Sequence, residues 1–204
     1  MNSIDTILSI LKKLRNNKSY IKIELHEPFI DRSDFNYTTL ALKTKQLSTY
    51  GKFTKIFENK LQKCFKTQNL ICLSSGTAAL HLSLKVLDIN KNHEVFVSPL
   101  TYISTVNAIR YCNAQPHFFD VDKNNLSIDI SKFKDYLKKN TKIINKKCYS
   151  QSSKKQIKAL IVTHVNGLCC EIDVLKKICK ANHILLVEDA AESLGCKYKN
   201  IPLG

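Results

Sequence analysis

Apolar positions along the 204-residue chain change their period near residue 66. Before that point they recur at helical spacing: Ile4, Ile7, Leu8, Leu11 and Leu14, then Phe53, Ile56, Phe57, Leu61 and Phe65. These predict amphipathic helices over 4–15 and 53–65, with another over 34–46. Between them lie a short alternating stretch, Tyr20 to Leu25, that reads as a strand ended by Pro28, and a glycine-bearing turn at 48–53. Beyond residue 66 short continuous apolar runs alternate with helical stretches. The runs at 70–73, 94–98, 117–121, 159–163 and 184–187 predict strands, and 77–88, 101–111, 130–139 and 171–182 predict helices. The chain therefore divides into a helical segment, 1–66, and an α/β domain, 67–204. Strands that are apolar throughout, alternating with helices, form a mostly parallel sheet covered on both faces, a three-layer αβα arrangement.

Composition narrows the class. No run of 18 apolar residues occurs, and the first helix mixes Lys12, Lys13 and Arg15 into its apolar pattern, so neither a membrane span nor a secretion signal is predicted. The eight cysteines include no CxxC pair; with no secretion signal they read as reduced thiols in a cytoplasmic protein, and not as a zinc site. A net charge of +15 raises nucleic acid as a partner. The lysines are nevertheless spread along the chain, and only 138–158 is densely basic, with Tyr149 its one aromatic. That block reads as a solvated surface loop, and the general basicity suits a small polyanionic substrate better than nucleic acid.

Chemistry-bearing residues gather just after the apolar runs, where parallel sheets bind their ligands. The first run leads into Ser74-Ser75-Gly76-Thr77, a small-residue turn opening a helix; its free N–H groups and the helix dipole form a phosphate seat. The second leads to Thr101-Tyr102, the fourth to His164-Val165-Asn166-Gly167, and the fifth ends in Glu188-Asp189-Ala190-Ala191-Glu192. Taken singly, Ser75 is a helix cap, Asp189 another, Tyr102 a core aromatic and His164 a hydrogen-bonded strand end. Taken together, a phosphate seat, a flat aromatic and a carboxylate on one rim suit a planar phosphorylated nitrogen heterocycle, and pyridoxal 5'-phosphate has that form.

Four motifs carry a family resemblance: Ser75-Gly76-Thr77-Ala78-Ala79-Leu80-His81-Leu82, Pro99-Leu100-Thr101-Tyr102-Ile103-Ser104-Thr105, Phe119-Asp120-Val121-Asp122 and Val187-Glu188-Asp189-Ala190-Ala191-Glu192-Ser193-Leu194-Gly195. In order and spacing the chain, from about residue 25 to residue 204, resembles the DegT/DnrJ-type sugar aminotransferases. Among these it is most similar to those making 4-amino sugars of the bacillosamine and legionaminic acid type. The resemblance implies the large domain of the aspartate-aminotransferase (type I pyridoxal phosphate) fold. It also implies that Gly76 and Thr77 hold the cofactor phosphate, Tyr102 stacks on the ring and Asp189 faces the ring nitrogen. Glu192 stands where the family usually has Gln or His near the ring hydroxyl, and His164 becomes a wall of the same pocket. Further implied are glutamate as amino donor, a nucleotide-linked 4-keto-6-deoxy sugar as acceptor, and a homodimer.

The chain also departs from that family. The lysine that forms the Schiff base follows the Glu-Asp-Ala-Ala motif further along, in a Ser-rich segment; Lys197 and Lys199 are too near Asp189 to match it. No catalytic residue is therefore assigned, and the expectation is an N-terminal portion of such an enzyme, without its last strands and small domain. An isolated chain of this kind is expected to fold poorly, because the strand bearing the phosphate seat loses its neighbours. The rival reading is a catalytically inactive fragment or binding module of the same fold. An unrelated nucleotide-binding protein is disfavoured because neither GxGxxG nor GxxxxGK[ST] occurs.

Overall fold

The structure, a computed structural model, describes residues 3–14, 28–48 and 51–204. The strand expected over 20–25 and residues 49–50 of the glycine-bearing turn lie outside the described residues. The chain divides into two compact units, Met1–Phe53 and Thr54–Gly204.

In the first unit, α1 (Ser3–Leu14) and α2 (Arg32–Lys43) follow the apolar period. Asp31 caps α2, its Oδ1 accepting from the Ser33 and Asp34 amides at 2.6 and 3.2 Å, while Asp34 Oδ2 accepts from the Asp31 amide at 2.9 Å. This reciprocal box satisfies amides that a helix start otherwise leaves open. The apolar stripe of α1 stays in solvent, Ile4 being 61% and Ile7 56% exposed.

The second unit holds a sheet between two helical layers. Its elements are most of α3 (Lys52–Phe65), then α4 (Gly76–Val86), β1 (His93–Val97), α5 (Ile103–Tyr111), β2 (Gln115–Phe118) and α6 (Ile130–Asn140). There follow β3 (Thr141–Ile144), β4 (Lys147–Ser150), β5 (Gln156–Thr163), α7 (Ile172–Ala181), β6 (Leu185–Asp189) and a hairpin, β7 (Lys197–Tyr198) and β8 (Ile201–Pro202). Four strands run parallel in the order β2-β1-β5-β6, as the continuous apolar runs require. One face packs Leu80, Leu84, Ala108 and Ile109 of α4 and α5 on Val95, Val97, Ala159 and Ile161. The other packs Phe133, Leu137, Leu175 and Cys179 of α6 and α7 on Phe96, Ile157, Leu160 and Val162. A register shift opposite Glu94/Val95 leaves Lys158 as an extra residue in β5, so Ile157 and Leu160 reach the same face although three apart.

Three expectations need correction. Residues 70–73 are not a strand: the Cys72 amide donates to Glu58 Oε1 at 2.9 Å, and Ile71 is 74% exposed. Apolar character alone does not make a strand; a neighbouring edge must supply the ladder, and none does among the described residues. The apolar face of α3 is not buried either, no residue of that helix being buried and Phe57 being 54% exposed. Finally, the block 140–158 is no simple loop but the antiparallel hairpin β3–β4, joined to the start of β5 through Tyr149 and Gln156. Its polar sequence conceals an anchor, Cys148, which is fully buried against the α6–α7 layer.

Candidate functional site

Helices α4 and α5 both run antiparallel to β1, because α4 delivers the chain to its start and α5 receives it from its end. Their N-termini accordingly lie at the carboxyl end of β1, on the rim where β5 and β6 also finish.

At α4, Ser75 is the cap: its Oγ accepts from the Ala78 amide at 3.1 Å and its carbonyl from Ala79 at 3.0 Å. The two amides left over, Gly76 and Thr77, carry no hydrogen bond among the described residues. A Cβ built on Gly76 would meet nothing within 4 Å, so the approach to these amides is open. An uncovered helix start of this kind is an anion seat.

At α5, Tyr102 stands at the cap position and is 73% exposed. Its carbonyl accepts from the Thr105 amide at 3.1 Å, and Thr105 Oγ1 in turn donates to Asp189 Oδ2 at 2.7 Å. Behind Thr105, Thr101 Oγ1 donates to Thr105 Oγ1 at 2.9 Å and lies 2.9 Å from Thr163 Oγ1. Asp189, 7% exposed, closes β6 opposite Thr163. Among the described residues its Oδ1 meets only the Ala191 amide, at 3.4 Å, and it retains capacity for another donor. Tyr102 and Asp189 are thus linked through Thr105, whose amide holds the Tyr102 carbonyl and whose hydroxyl ends a chain of threonines on Asp189, a feature that the strand-end reading did not assign. The signal was available in Thr101 and Thr105, four apart at a helix start, and in Thr163 at the end of a strand.

Glu192 is exposed, and its Oε2 accepts from the Asn166 amide at 2.7 Å. The neighbouring Gly167 turns with φ of +77°, where a Cβ would come within 2.8 Å of Cys196 Sγ, so only glycine lets the two loops approach. His164 sits behind the rim, not on it. Its side chain is fully buried, with Nε2 2.9 Å from Glu188 Oε2. That bond from His164, opposed by burial and aided by the Gly204 amide, holds the Glu188 carboxyl below its usual range. Glu188 and Asp189 point to opposite faces of the sheet, and His164 follows Glu188.

The arrangement can seat an anion at Gly76–Thr77 and accept an N–H at Asp189, with Tyr102 exposed at the start of the helix that carries Thr105. A scan against family profiles matches residues 28–204 to the DegT/DnrJ/EryC1/StrS aminotransferase family. The chain belongs to this family. Among curated relatives it is 32% identical over 182 residues to GDP-perosamine synthase of Escherichia coli O157:H7, covering 89% of this chain and 46% of the relative. It is 34% identical over 175 residues to the UDP-4-amino-4,6-dideoxy-N-acetyl-beta-L-altrosamine transaminase of Campylobacter jejuni, covering 86% and 42%. The putative sugar aminotransferase of Streptococcus pneumoniae, in its PMP form, superposes with a TM-score of 0.73 at 26% identity, covering 89% of this chain and 45% of that one. The chain spans less than half the length of the curated relatives it matches. In this aminotransferase family the described residues thus form an α/β unit of the type I fold.

Proposed function

We propose that these residues form the cofactor-binding wall of a pyridoxal-phosphate-dependent sugar aminotransferase. The observation that carries the reading is Asp189, buried and held by Thr105 on the same rim as the open amides of Gly76 and Thr77. Those residues fit the cofactor: an acceptor-only phosphate suits two free amides, and a protonated ring nitrogen suits a buried carboxylate with spare capacity. When bound, the group supplies an electron-withdrawing ring that carries an amino group between donor and acceptor. Gly76 and Thr77 would hold the phosphate, Tyr102 would cover the ring and Asp189 would hold the ring N–H proton. Glu192 would stand at the rim's edge, its position set by the Asn166 amide. Lys199 is held by Asp173 at 2.9 Å, and no proton transfer is assigned to any lysine here.

The reaction class is transfer of an amino group from glutamate to a nucleotide-linked 4-keto-6-deoxy sugar. Two observations support it: membership of the family, and relatives named for nucleotide-linked sugars. A homodimer is part of the same proposal. The test uses pyridoxamine phosphate, which has no aldehyde and so reports the non-covalent wall alone. Fluorescence titration should show saturable binding that Asp189→Asn weakens by about tenfold, the cost of removing a charge-assisted hydrogen bond. Equal binding by the variant would overturn the assignment of Asp189. A stoichiometric borohydride-trapped adduct of pyridoxal phosphate at one lysine would overturn the statement that none here serves as its anchor.

A further inference from the structure

The basic block lines a cavity of about 420 Å³ where the β3–β4 hairpin and the turn after it meet the first residues of β1 and β5. His93 and Gln156 open those parallel strands, so the cavity lies at the end of the sheet opposite the Asp189 rim. Its walls include His93, Lys147, Tyr149, Ser153, Lys154 and Lys155.

Charges at this end are not balanced. Lys158 is spoken for: its Nζ donates to the Asp88 carbonyl at 2.7 Å and to Asp88 Oδ2 at 3.3 Å. Lys155 donates to Gln115 Oε1 at 3.0 Å, and its charge faces the buried Glu94 carboxylate. Glu94 is otherwise engaged by His117 at 3.0 Å and by the Ser153 hydroxyl. Lys147 and Lys154 have no side-chain hydrogen bond or ion pair among the described residues. Their own stretch of chain supplies no counter-charge, since no Asp or Glu occurs between Asp135 and Glu171, and the acids at this end, Asp88 and Glu94, are engaged by Lys158, His117 and Ser153. His93, 8% exposed, uses Nδ1 to accept from the Asn90 amide at 3.1 Å. Burial, and then the Lys158 charge, hold its ring below the usual imidazole range, so it adds no third charge.

We propose that this cavity is a binding site for a phosphate monoester dianion, with Lys147 and Lys154 as its two charge partners. Two uncompensated ammonium groups match the charge of about −2 that a monoester carries near neutral pH. The ammonium groups of Lys147 and Lys154 are uncommitted donors, and a tetrahedral oxyanion is acceptor-only, so it brings no donor of its own that would go unpaired. Both lysines are exposed, so their ammonium groups are open to a ligand from solution. A cavity of this volume falls within the small-molecule range, and Tyr149 supplies an aromatic wall for whatever the phosphate esterifies. The site is separate from the proposed cofactor seat and does not depend on it.

The experiment is a titration of the ¹⁵N-labelled 204-residue chain with inorganic phosphate at constant ionic strength, followed by amide shifts. Saturable shifts at Lys147, Tyr149 and Ser153 to Gln156 are expected. Lys147→Gln with Lys154→Gln should weaken them by about tenfold or more, whereas Lys147→Arg with Lys154→Arg should retain them. Shifts at Gly76 and Thr77 report the other seat independently, so failure of one proposal is distinguishable from failure of the other. No saturable shift at the hairpin, or unchanged affinity in the double Gln variant, overturns the inference. A second arm offers phosphatidic acid vesicles. Co-sedimentation that free phosphate competes away supports the site and identifies a lipid headgroup as its monoester, while co-sedimentation that phosphate leaves untouched overturns it.

Discussion

Asp189 owes its place to Thr105, whose single hydroxyl proton is committed to Oδ2 at 2.7 Å in a fully buried position. Thr105→Val keeps the shape and removes the donor, leaving a buried carboxylate oxygen without its partner. The expected cost is about 2 kcal/mol, within the range for hydrogen bonds to charged groups. Chemical denaturation measures it, and the same variant should weaken pyridoxamine phosphate binding by misplacing the carboxylate. An unaltered midpoint and affinity would show that the hydroxyl chain is incidental. His164 illustrates the opposite outcome. Its position after a strand placed it on the rim, but side-chain direction alternates along the backbone, and the ring is sealed against Glu188.

At the scale of elements, the hairpin β7–β8 is tied to α7 by one residue. Asp173 accepts from the Tyr198 hydroxyl at 2.8 Å and from Lys199 Nζ at 2.9 Å. The Lys199 and Tyr198 hydrogen bonds lower its carboxyl from 3.8 to about 2. A depressed folded-state value means that the tie is complete above pH 3.8 and is lost as pH falls through about 2. Hydrogen exchange should show amides of 197–202 losing protection in that window before those of β1 and β5, and Asp173→Asn should release them at every pH. Hairpin and sheet losing protection together would count against it. This element escaped the sequence because two-residue strands carry no readable period. The β3–β4 hairpin escaped for a different reason. Its lysines mask a pattern in which Thr141, Cys148 and Ser150 face inward.

At the scale of the whole molecule, β6 pairs with β5 alone among the described residues, and its other edge is open. Beside it lies an apolar groove of about 460 Å³ lined by Ile71, Leu73, Leu82, Val86, Leu186 and Val187. An open strand edge next to exposed apolar surface is a pairing template. The 204-residue chain should therefore gain mass with concentration in sedimentation equilibrium and melt broadly by circular dichroism. Leu185→Lys, on the partly exposed edge strand, should reduce the association. A monomer with a sharp cooperative melt would refute this.

The five elements from α4 to α6, with β5, α7 and β6, were readable within a few residues from apolar runs and helical periods, because those are local properties of the chain. Tyr102 and Asp189 were placed for the same reason, since each follows or closes an apolar run that is a strand; Gly76 and Thr77 were placed by the helix start alone, because the run before them is no strand. Contacts between distant residues were not. Thr105 and Asp189 are 84 positions apart, and Thr101 and Thr163 are 62. The bulge at Lys158, the burial of His164 and the absence of a strand at 70–73 likewise depend on which neighbour supplies hydrogen bonds or space. Those neighbours exist only once the chain has folded, and so only the tertiary structure decided them.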